Sequence, residues 1–226
     1  MLKAVIFDFD GIIVDSEPLH YQVFQKLLEP LGAGYSWDEY VELYMGFDDR
    51  EAFVEACRAR GLALHEGMLG ELIAAKAAVF QEIIAAGVSP YPGVVELIRS
   101  LAGVVPLALC SGALRSDIEP VLQQLSLTTA FDCIVTAEEV LASKPDPASY
   151  ALAIKRLQSV FPELSLTPAD AVAIEDTPAG ISSALGAGLH VLAVTNSYPA
   201  EQLGTACRTV SSLADIDLGF LQQMAS

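Results

Sequence analysis

Short apolar segments alternate with helical patterns over most of this chain, and this alternation limits the possible folds more than any other feature. The segments are rich in Val, Ile, Leu and Ala, and they cover residues 3–9, 104–110, 131–135, 171–174 and 190–194. Strands that alternate with helices form βαβ units, whose strands run parallel in one sheet. The pattern therefore predicts an α/β protein built on a parallel sheet.

A helical segment interrupts this pattern after the first strand. Between about residues 19 and 86, apolar residues recur at the three- and four-residue spacing of a helix, without a strand pattern. A Pro-Tyr-Pro-Gly turn at residues 90–93 marks the return to alternation. We therefore predict a core of residues 1–15 and 91–226, and an inserted all-helical domain of residues 16–90.

The composition argues against several classes of protein. The chain has 226 residues, 53% of them hydrophobic, which is enough for a sizeable core. Its formal net charge of −17 argues against nucleic acid or an anionic membrane as a partner. No signal peptide or membrane-spanning run is visible, and the four cysteines lack CxxC spacing. We expect a cytoplasmic protein with reduced cysteines, and a monomer.

Polar residues follow the predicted strands directly. Asp8 and Asp10 stand at the end of the first strand, and Gly11 permits the turn that follows. The later strands lead into Ser111-Gly112, Ser143-Lys144-Pro145 and Glu175-Asp176. Because ligands of open parallel sheets bind beyond the carboxyl ends of the strands, we expect these groups to converge on one site. Two neighbouring acids repel each other unless a positive charge lies nearby, and the rest of the chain supplies candidates for that charge.

Taken in order, these motifs resemble those of the haloacid dehalogenase superfamily of phosphotransferases. The resemblance spans nearly the whole chain and rests on Asp8-Phe9-Asp10-Gly11, Ser111-Gly112, Lys144-Pro145 and Glu175-Asp176. The helical segment resembles the small cap of the subgroup that includes phosphoglycolate phosphatase and β-phosphoglucomutase. The resemblance implies a Rossmann-like core with an inserted helical cap, Mg²⁺ as the cofactor and a small phosphorylated metabolite as the substrate.

The resemblance also implies roles for the four acidic residues. Asp8 would be the nucleophile that forms an aspartyl-phosphate, and Asp10 would be the general acid and base. Asp8, Asp176 and the backbone carbonyl of Asp10 would hold Mg²⁺. Glu175 would act close to the metal.

The remaining candidates would bind the substrate. The Ser111 hydroxyl, the backbone N–H of Gly112 and the Lys144 ammonium would contact the transferring phosphoryl group. Further candidates for contacts with the substrate are His20, Arg50, Lys76 and Arg115.

The leading prediction is a Mg²⁺-dependent phosphatase that acts on a small phosphomonoester. A β-phosphoglucomutase-type mutase is an alternative, because His20 and Lys76 also fit that subgroup. However, the mutase-type loop carries a lysine beside its glycine, whereas here Met45 precedes Gly46. A non-catalytic binding protein on the same fold is the third possibility, and the retention of every motif residue argues against it.

Overall fold

The computed structural model describes residues 1–45, 47, 49–85 and 87–225. The chain divides into two compact units, Met1–Asp15 with Ser89–Ser226, and Ser16–Val88. The second boundary thus lies at 88/89, slightly before the predicted 90/91. The reason is that the Asp15 N–H donates to the Ser89 carbonyl and Val14 pairs with Pro90 in a β-bridge.

A parallel sheet forms the centre of the first unit. Among the described residues it has six strands, in the order β3-β2-β1-β4-β5-β6. The strands are β1 (Ala4–Phe7), β2 (Leu107–Cys110), β3 (Cys133–Val135), β4 (Ala171–Glu175), β5 (His190–Val194) and β6 (Arg208–Val210). β1, β2 and β4 are buried along their whole length, as expected for a sheet that is covered on both faces. This strand order is that of a Rossmann-like fold, so the predicted fold class is confirmed.

The structure shortens three of the predicted strands, at residues 3–9, 104–110 and 131–135, extends β4 to Glu175 and adds β6. β2 begins at Leu107 instead of residue 104, because the N–H groups of Val104 and Val105 both donate to the Leu101 carbonyl and close the preceding helix. β6 was outside the prediction, because two of its three residues are exposed and the segment therefore lacks an apolar run.

Helices cover the sheet of the first unit. They are α5 (Val94–Leu101), α6 (Arg115–Gln124), α7 (Ala148–Val160), α8 (Pro178–Gly186) and α9 (Leu218–Met224). Short 3₁₀ turns lie at Ala137–Glu139, Pro162–Leu164, Pro168–Asp170 and Ala200–Gln202. α7 packs against β2 and β3, while α8 packs against β4 and β5. These contacts bury one apolar cluster that includes Ile6, Ala108, Tyr150 and Ala173.

The described residues of the second unit form helices joined by loops, as predicted. Its helices are α1 (Glu17–Leu28), α2 (Trp37–Glu39), α3 (Asp49–Ala59) and α4 (Glu66–Ala85), with a 3₁₀ turn at Glu29–Leu31 and a π-helical turn at Tyr40–Tyr44. α4 packs against both α1 and α3. Phe24 and Phe53 meet edge to face, with ring centroids 5.1 Å apart, inside an aromatic-rich core. Across the described parts of both units, no helix is both long and apolar enough to cross a membrane.

Candidate active site

The ends of β1, β2 and β4 are joined by one half-buried lysine. The Lys144 ammonium donates to Asp8 Oδ1 and to Glu175 Oε1, both at 2.6 Å. It also donates to the Cys110 carbonyl at 3.3 Å. An ammonium has three N–H donors, so each donor reaches a different strand end. Because the strand order reverses between β1 and β4, this junction lies at the topological switch point, where Rossmann-like sheets bind their ligands.

Glu175 is fully buried, and its carboxylate is surrounded by donors from its own chain. Oε1 accepts from the Tyr150 hydroxyl at 2.6 Å in addition to Lys144. Oε2 accepts from the Asp176 N–H at 3.2 Å and from the Thr177 hydroxyl at 3.4 Å. A buried charge is tolerated when it is paired and hydrogen-bonded in this way. The Tyr150 contact was missed in the sequence, where a buried tyrosine on α7 looks like an ordinary core residue.

Asp176 presents a free oxygen beside two other acids. Oxygen atoms of Asp8, Glu175 and Asp176 lie within 4.8 Å of one another. Asp176 Oδ2 accepts from the Ser197 hydroxyl, whereas Oδ1 is buried and has no hydrogen-bond partner among the described residues. A buried carboxylate oxygen without a partner is costly, and such hard oxygens are the preferred ligands of Mg²⁺. The donor set therefore fits Mg²⁺, the cation that the resemblance implies.

The balance of charge at this junction is also negative. Burial, with the nearby Glu175 charge, raises the pKa of Asp8 to about 8, although Lys144 opposes the shift. Burial and the Asp8 charge likewise raise the pKa of Asp176 well above its usual value. Burial alone would lower the pKa of Lys144, but Asp8 and Glu175 outweigh it and raise that pKa, so the lysine stays charged. One ammonium thus faces three carboxylates, and a further cation would relieve the repulsion.

The turn after β1 carries Asp10 and requires glycine at position 11. Gly11 has a φ of +78°, a conformation that residues with a side chain rarely adopt. A Cβ atom there would also lie 1.9 Å from Asp176 Oδ2. The half-buried Asp10 meets Ser111, whose hydroxyl lies 3.5 Å from Asp10 Oδ2. Gly112 follows at an exposed position. The structure thus brings Asp8, Asp10, Ser111, Lys144, Glu175 and Asp176 to one edge of the sheet.

Two further residues at this edge follow β5. The Asn196 side-chain amide donates to the Gly11 carbonyl at 2.6 Å, and the Ser197 hydroxyl donates to Asp176. Neither residue was among the predicted site residues. The rule that located the other groups, polar residues just beyond the end of a strand, also applies to this pair, which follows Val194 after one threonine.

Arg115, a predicted flanking residue of the phosphate, has partners at the end of β3. Its guanidinium donates to the Ile134 carbonyl at 3.3 Å and to Glu139 Oε2 at 3.2 Å. Arg156 donates to the other oxygen of Glu139 at 2.7 Å. The hydrogen bond from Arg156 is the main reason why the pKa of Glu139 falls to about 2. A contact between Arg115 and phosphate stays a prediction.

The other three substrate candidates lie in the helical unit, and two of them are paired with acids. Lys76 is buried, with its Nζ 2.8 Å from Asp49 Oδ1 and 4.8 Å from the centre of the Phe80 ring. Arg50 pairs with Glu66 at 3.1 Å, and both side chains are exposed. The third candidate, His20, stacks on Phe80 with ring centroids 4.3 Å apart. Gly46, which entered the comparison with the mutases, lies outside the described residues.

Comparison with known proteins places the chain among phosphotransferring hydrolases. The family model described as "Haloacid dehalogenase-like hydrolase" matches residues 5–194. Protein CbbY of Rhodobacter capsulatus is 31% identical over 204 residues, which cover 87% of each chain. A Thermotoga maritima protein named "Phosphorylated carbohydrates phosphatase" is 30% identical over 193 residues, covering 84% of this chain and 83% of the relative.

The fold agrees with these matches. The crystal structure of CbbY from Rhodobacter sphaeroides in complex with phosphate superimposes with a TM-score of 0.86 at 26% identity, covering 98% of this chain and 100% of that one. The predicted enzyme class, a phosphoric monoester hydrolase, is confirmed by the family and by the phosphatases among the relatives. With its motifs in order at the strand ends of a Rossmann-like sheet, this chain belongs to the haloacid dehalogenase-like hydrolases.

Proposed function

We propose that this protein is a Mg²⁺-dependent phosphatase that hydrolyses a small sugar phosphate through an aspartyl-phosphate on Asp8. The observation that carries the proposal is the buried junction in which Lys144 joins Asp8 to Glu175 beside the free oxygen of Asp176. The sugar phosphate class is supported by relatives whose names specify phosphorylated carbohydrates and fructose 1-phosphate.

Asp8 and Asp10 carry the two chemical steps of this proposal. The Asp8 carboxylate attacks phosphorus, the bond from phosphorus to the sugar oxygen breaks, and Asp10 gives its proton to that leaving oxygen. Asp10 then takes a proton from the water that attacks the aspartyl-phosphate. This second step releases inorganic phosphate and restores both carboxyl groups.

Lys144 and Ser111 stabilise the phosphoryl group during these steps. The ammonium already lies 2.6 Å from Asp8 Oδ1, so it reduces the repulsion between a carboxylate and a phosphate dianion. The Ser111 hydroxyl lies 3.5 Å from Asp10 Oδ2, and its oxygen accepts from the Ala113 N–H at 2.8 Å, which positions the hydroxyl to donate to a phosphate oxygen. Preorganised donors of this kind supply most of the catalysis in phosphoryl transfer.

The side chains of Asp8 and Asp176 and the backbone carbonyl of Asp10 would hold Mg²⁺. When bound, the ion neutralises phosphate charge that Lys144 alone does not balance. Glu175 is predicted to act close to the metal. Because Lys144 and Tyr150 already occupy Oε1, we assign its main role to orienting Lys144.

The helical unit favours a phosphatase over the mutase alternative. A phosphosugar mutase must bind a second phosphate, and an unpaired cation outside the core would favour that binding. The two candidate cations there are each paired with an acid, Lys76 with Asp49 and Arg50 with Glu66. A second phosphate would have to displace a carboxylate from either one.

The test is phosphate release from a panel of phosphoglycolate, hexose phosphates, pentose phosphates and nucleoside monophosphates, with Mg²⁺ and with EDTA. We expect release from a sugar phosphate that EDTA abolishes and that Asp8→Asn lowers at least about 10³-fold. Asp10→Asn serves as the second variant, because it removes the proton donor and keeps the nucleophile. Release that survives both Asp8→Asn and EDTA would refute the mechanism.

The mutase alternative has its own readout. β-Glucose 1-phosphate is supplied with glucose 1,6-bisphosphate, and formation of glucose 6-phosphate is followed. Conversion without net phosphate release would replace the phosphatase with the mutase. The absence of both activities over the whole panel would favour the non-catalytic protein.

A further inference from the structure

We infer that Asn196 and Ser197, which lie in the turn and bend that follow β5, are positioning residues for the metal site. Ser197 fixes the carboxylate of Asp176, and Asn196 fixes the turn at Gly11 that follows Asp10. The inference deepens the proposed function, since the metal is the one that the phosphatase proposal requires.

Ser197 decides which oxygen of Asp176 is available to a cation. Its hydroxyl donates to Oδ2, while Oδ1 of the same carboxylate is buried and has no partner among the described residues. A neutral donor leaves the negative charge on the carboxylate, whereas a lysine or arginine in this place would compete with the metal. The arrangement therefore holds one oxygen and leaves the other for the ion.

Asn196 holds the Gly11 turn, against which the Asp176 carboxylate packs. Its amide donates to the Gly11 carbonyl at 2.6 Å, and the Gly11 N–H donates to the Val14 carbonyl at 3.0 Å. The N–H and the carbonyl of Gly11 are thus both hydrogen-bonded, and these two bonds restrain the turn. Because Asp176 Oδ2 fills the space that a Gly11 side chain would take, a shift of this turn would also displace Asp176.

The order of strands in the sheet explains why residues after β5 can contact both the Gly11 turn and Asp176. β5 pairs with β4, and β4 pairs with β1, so the three strand ends are consecutive along one edge. Outer partners of this kind orient metal ligands, and their removal typically lowers metal affinity about 10- to 100-fold. Asn196 and Ser197 are accordingly expected to affect binding of the metal more than binding of the substrate.

The experiment measures metal binding directly, without substrate. Mn²⁺ is titrated into the metal-free full chain and followed by electron paramagnetic resonance, and Mg²⁺ is then used to displace it. We expect Ser197→Ala to raise the Kd for Mn²⁺ and for Mg²⁺ about 10- to 100-fold. Ser197→Thr, which keeps the hydroxyl, is expected to restore most of the affinity.

Ser182→Ala is the matched control. It removes a hydroxyl from the exposed face of α8, where that hydroxyl donates to the Pro178 carbonyl at 2.8 Å. The Kd of Ser182→Ala for Mn²⁺ and for Mg²⁺ is expected to equal that of the wild type. Steady-state assays add a second readout: Ser197→Ala should raise the Mg²⁺ concentration needed for half-maximal rate and leave the KM for substrate within about 2-fold at saturating Mg²⁺.

A wild-type Kd for Ser197→Ala would overturn the inference. Should thermal unfolding show that Ser197→Ala does not fold, Asn196→Ala takes its place with the same expected rise in Kd. Two folded variants that both bind metal like the wild type would equally overturn it. Because binding is read without substrate, a failure of the phosphatase proposal would leave this result interpretable.

Discussion

The substitution Gly180→Ala tests the junction of Lys144, Asp8 and Glu175. It adds one methyl group at the point where the Glu175 carboxylate is held. Gly180 lies in the first turn of α8, and its N–H donates to the Thr177 hydroxyl at 3.0 Å. A Cβ atom at this position would lie 2.0 Å from both Cδ and Oε2 of Glu175. Glycine is therefore needed here for the close approach of the carboxylate.

The expected loss of stability in Gly180→Ala follows from the hydrogen bonds that hold the Glu175 carboxylate. To make room for alanine, the carboxylate must leave Lys144 and Tyr150, each 2.6 Å away. Hydrogen bonds to charged groups contribute about 1.5–3 kcal/mol each, so their loss costs about 3–6 kcal/mol. Alanine stabilises a helix by about 1 kcal/mol relative to glycine. Gly180→Ala should therefore lower the free energy of unfolding by about 2–5 kcal/mol.

Urea unfolding and initial rates of phosphate release measure the two consequences. We expect Gly180→Ala to lower the turnover number at least about 100-fold, because Lys144 loses the partner that orients it. Gly186→Ala, in the same helix, is the matched control. Its Cβ atom would lie 3.4 Å from the nearest heavy atom, Pro147 Cβ, so its stability should stay within about 1 kcal/mol of the wild type. Equal stability and turnover in the two variants would refute the reasoning.

Two further predictions concern hydrogen-bonded carboxylates of the first unit. Tyr150→Phe removes one donor from Glu175 and should lower kcat more than it raises KM, with a loss of about 1.5–3 kcal/mol in unfolding free energy; an unchanged kcat would contradict the role given to that carboxylate. Glu139 has a pKa lowered from 4.5 to about 2, chiefly by Arg156, so its stabilisation is complete above pH 4.5 and is lost as the pH falls toward 2. The shift corresponds to about 3 kcal/mol, which solvent screening reduces to about 1–2 kcal/mol for this partly exposed side chain. The difference in unfolding free energy between wild type and Glu139→Gln should shrink between pH 5 and pH 3, and a constant difference would contradict the prediction.

The sequence by itself was sufficient for the fold class and for the groups at the strand ends. Asp8, Asp10 and Asp176 follow apolar runs directly, and the order of parallel strands carries such residues to one edge. These inferences depend on local patterns, because apolar periodicity shows where a strand ends. β6 escaped the same reasoning because its residues are mostly exposed and give no apolar signal.

The pairing of side chains was decided by the tertiary structure alone. Lys144 and Asp8 are 136 positions apart, yet their charged atoms lie 2.6 Å from each other. In the sequence Tyr150 is typical of a core aromatic, whereas in the structure its hydroxyl donates to Glu175. Lys76 is a candidate cation for the substrate in the sequence, whereas in the structure it pairs with Asp49. No local pattern encodes which distant residue a polar atom will meet, because that choice depends on how strands and helices pack. The chemistry of the strand ends was therefore readable from the sequence, whereas the partners that orient each group were readable only from the fold.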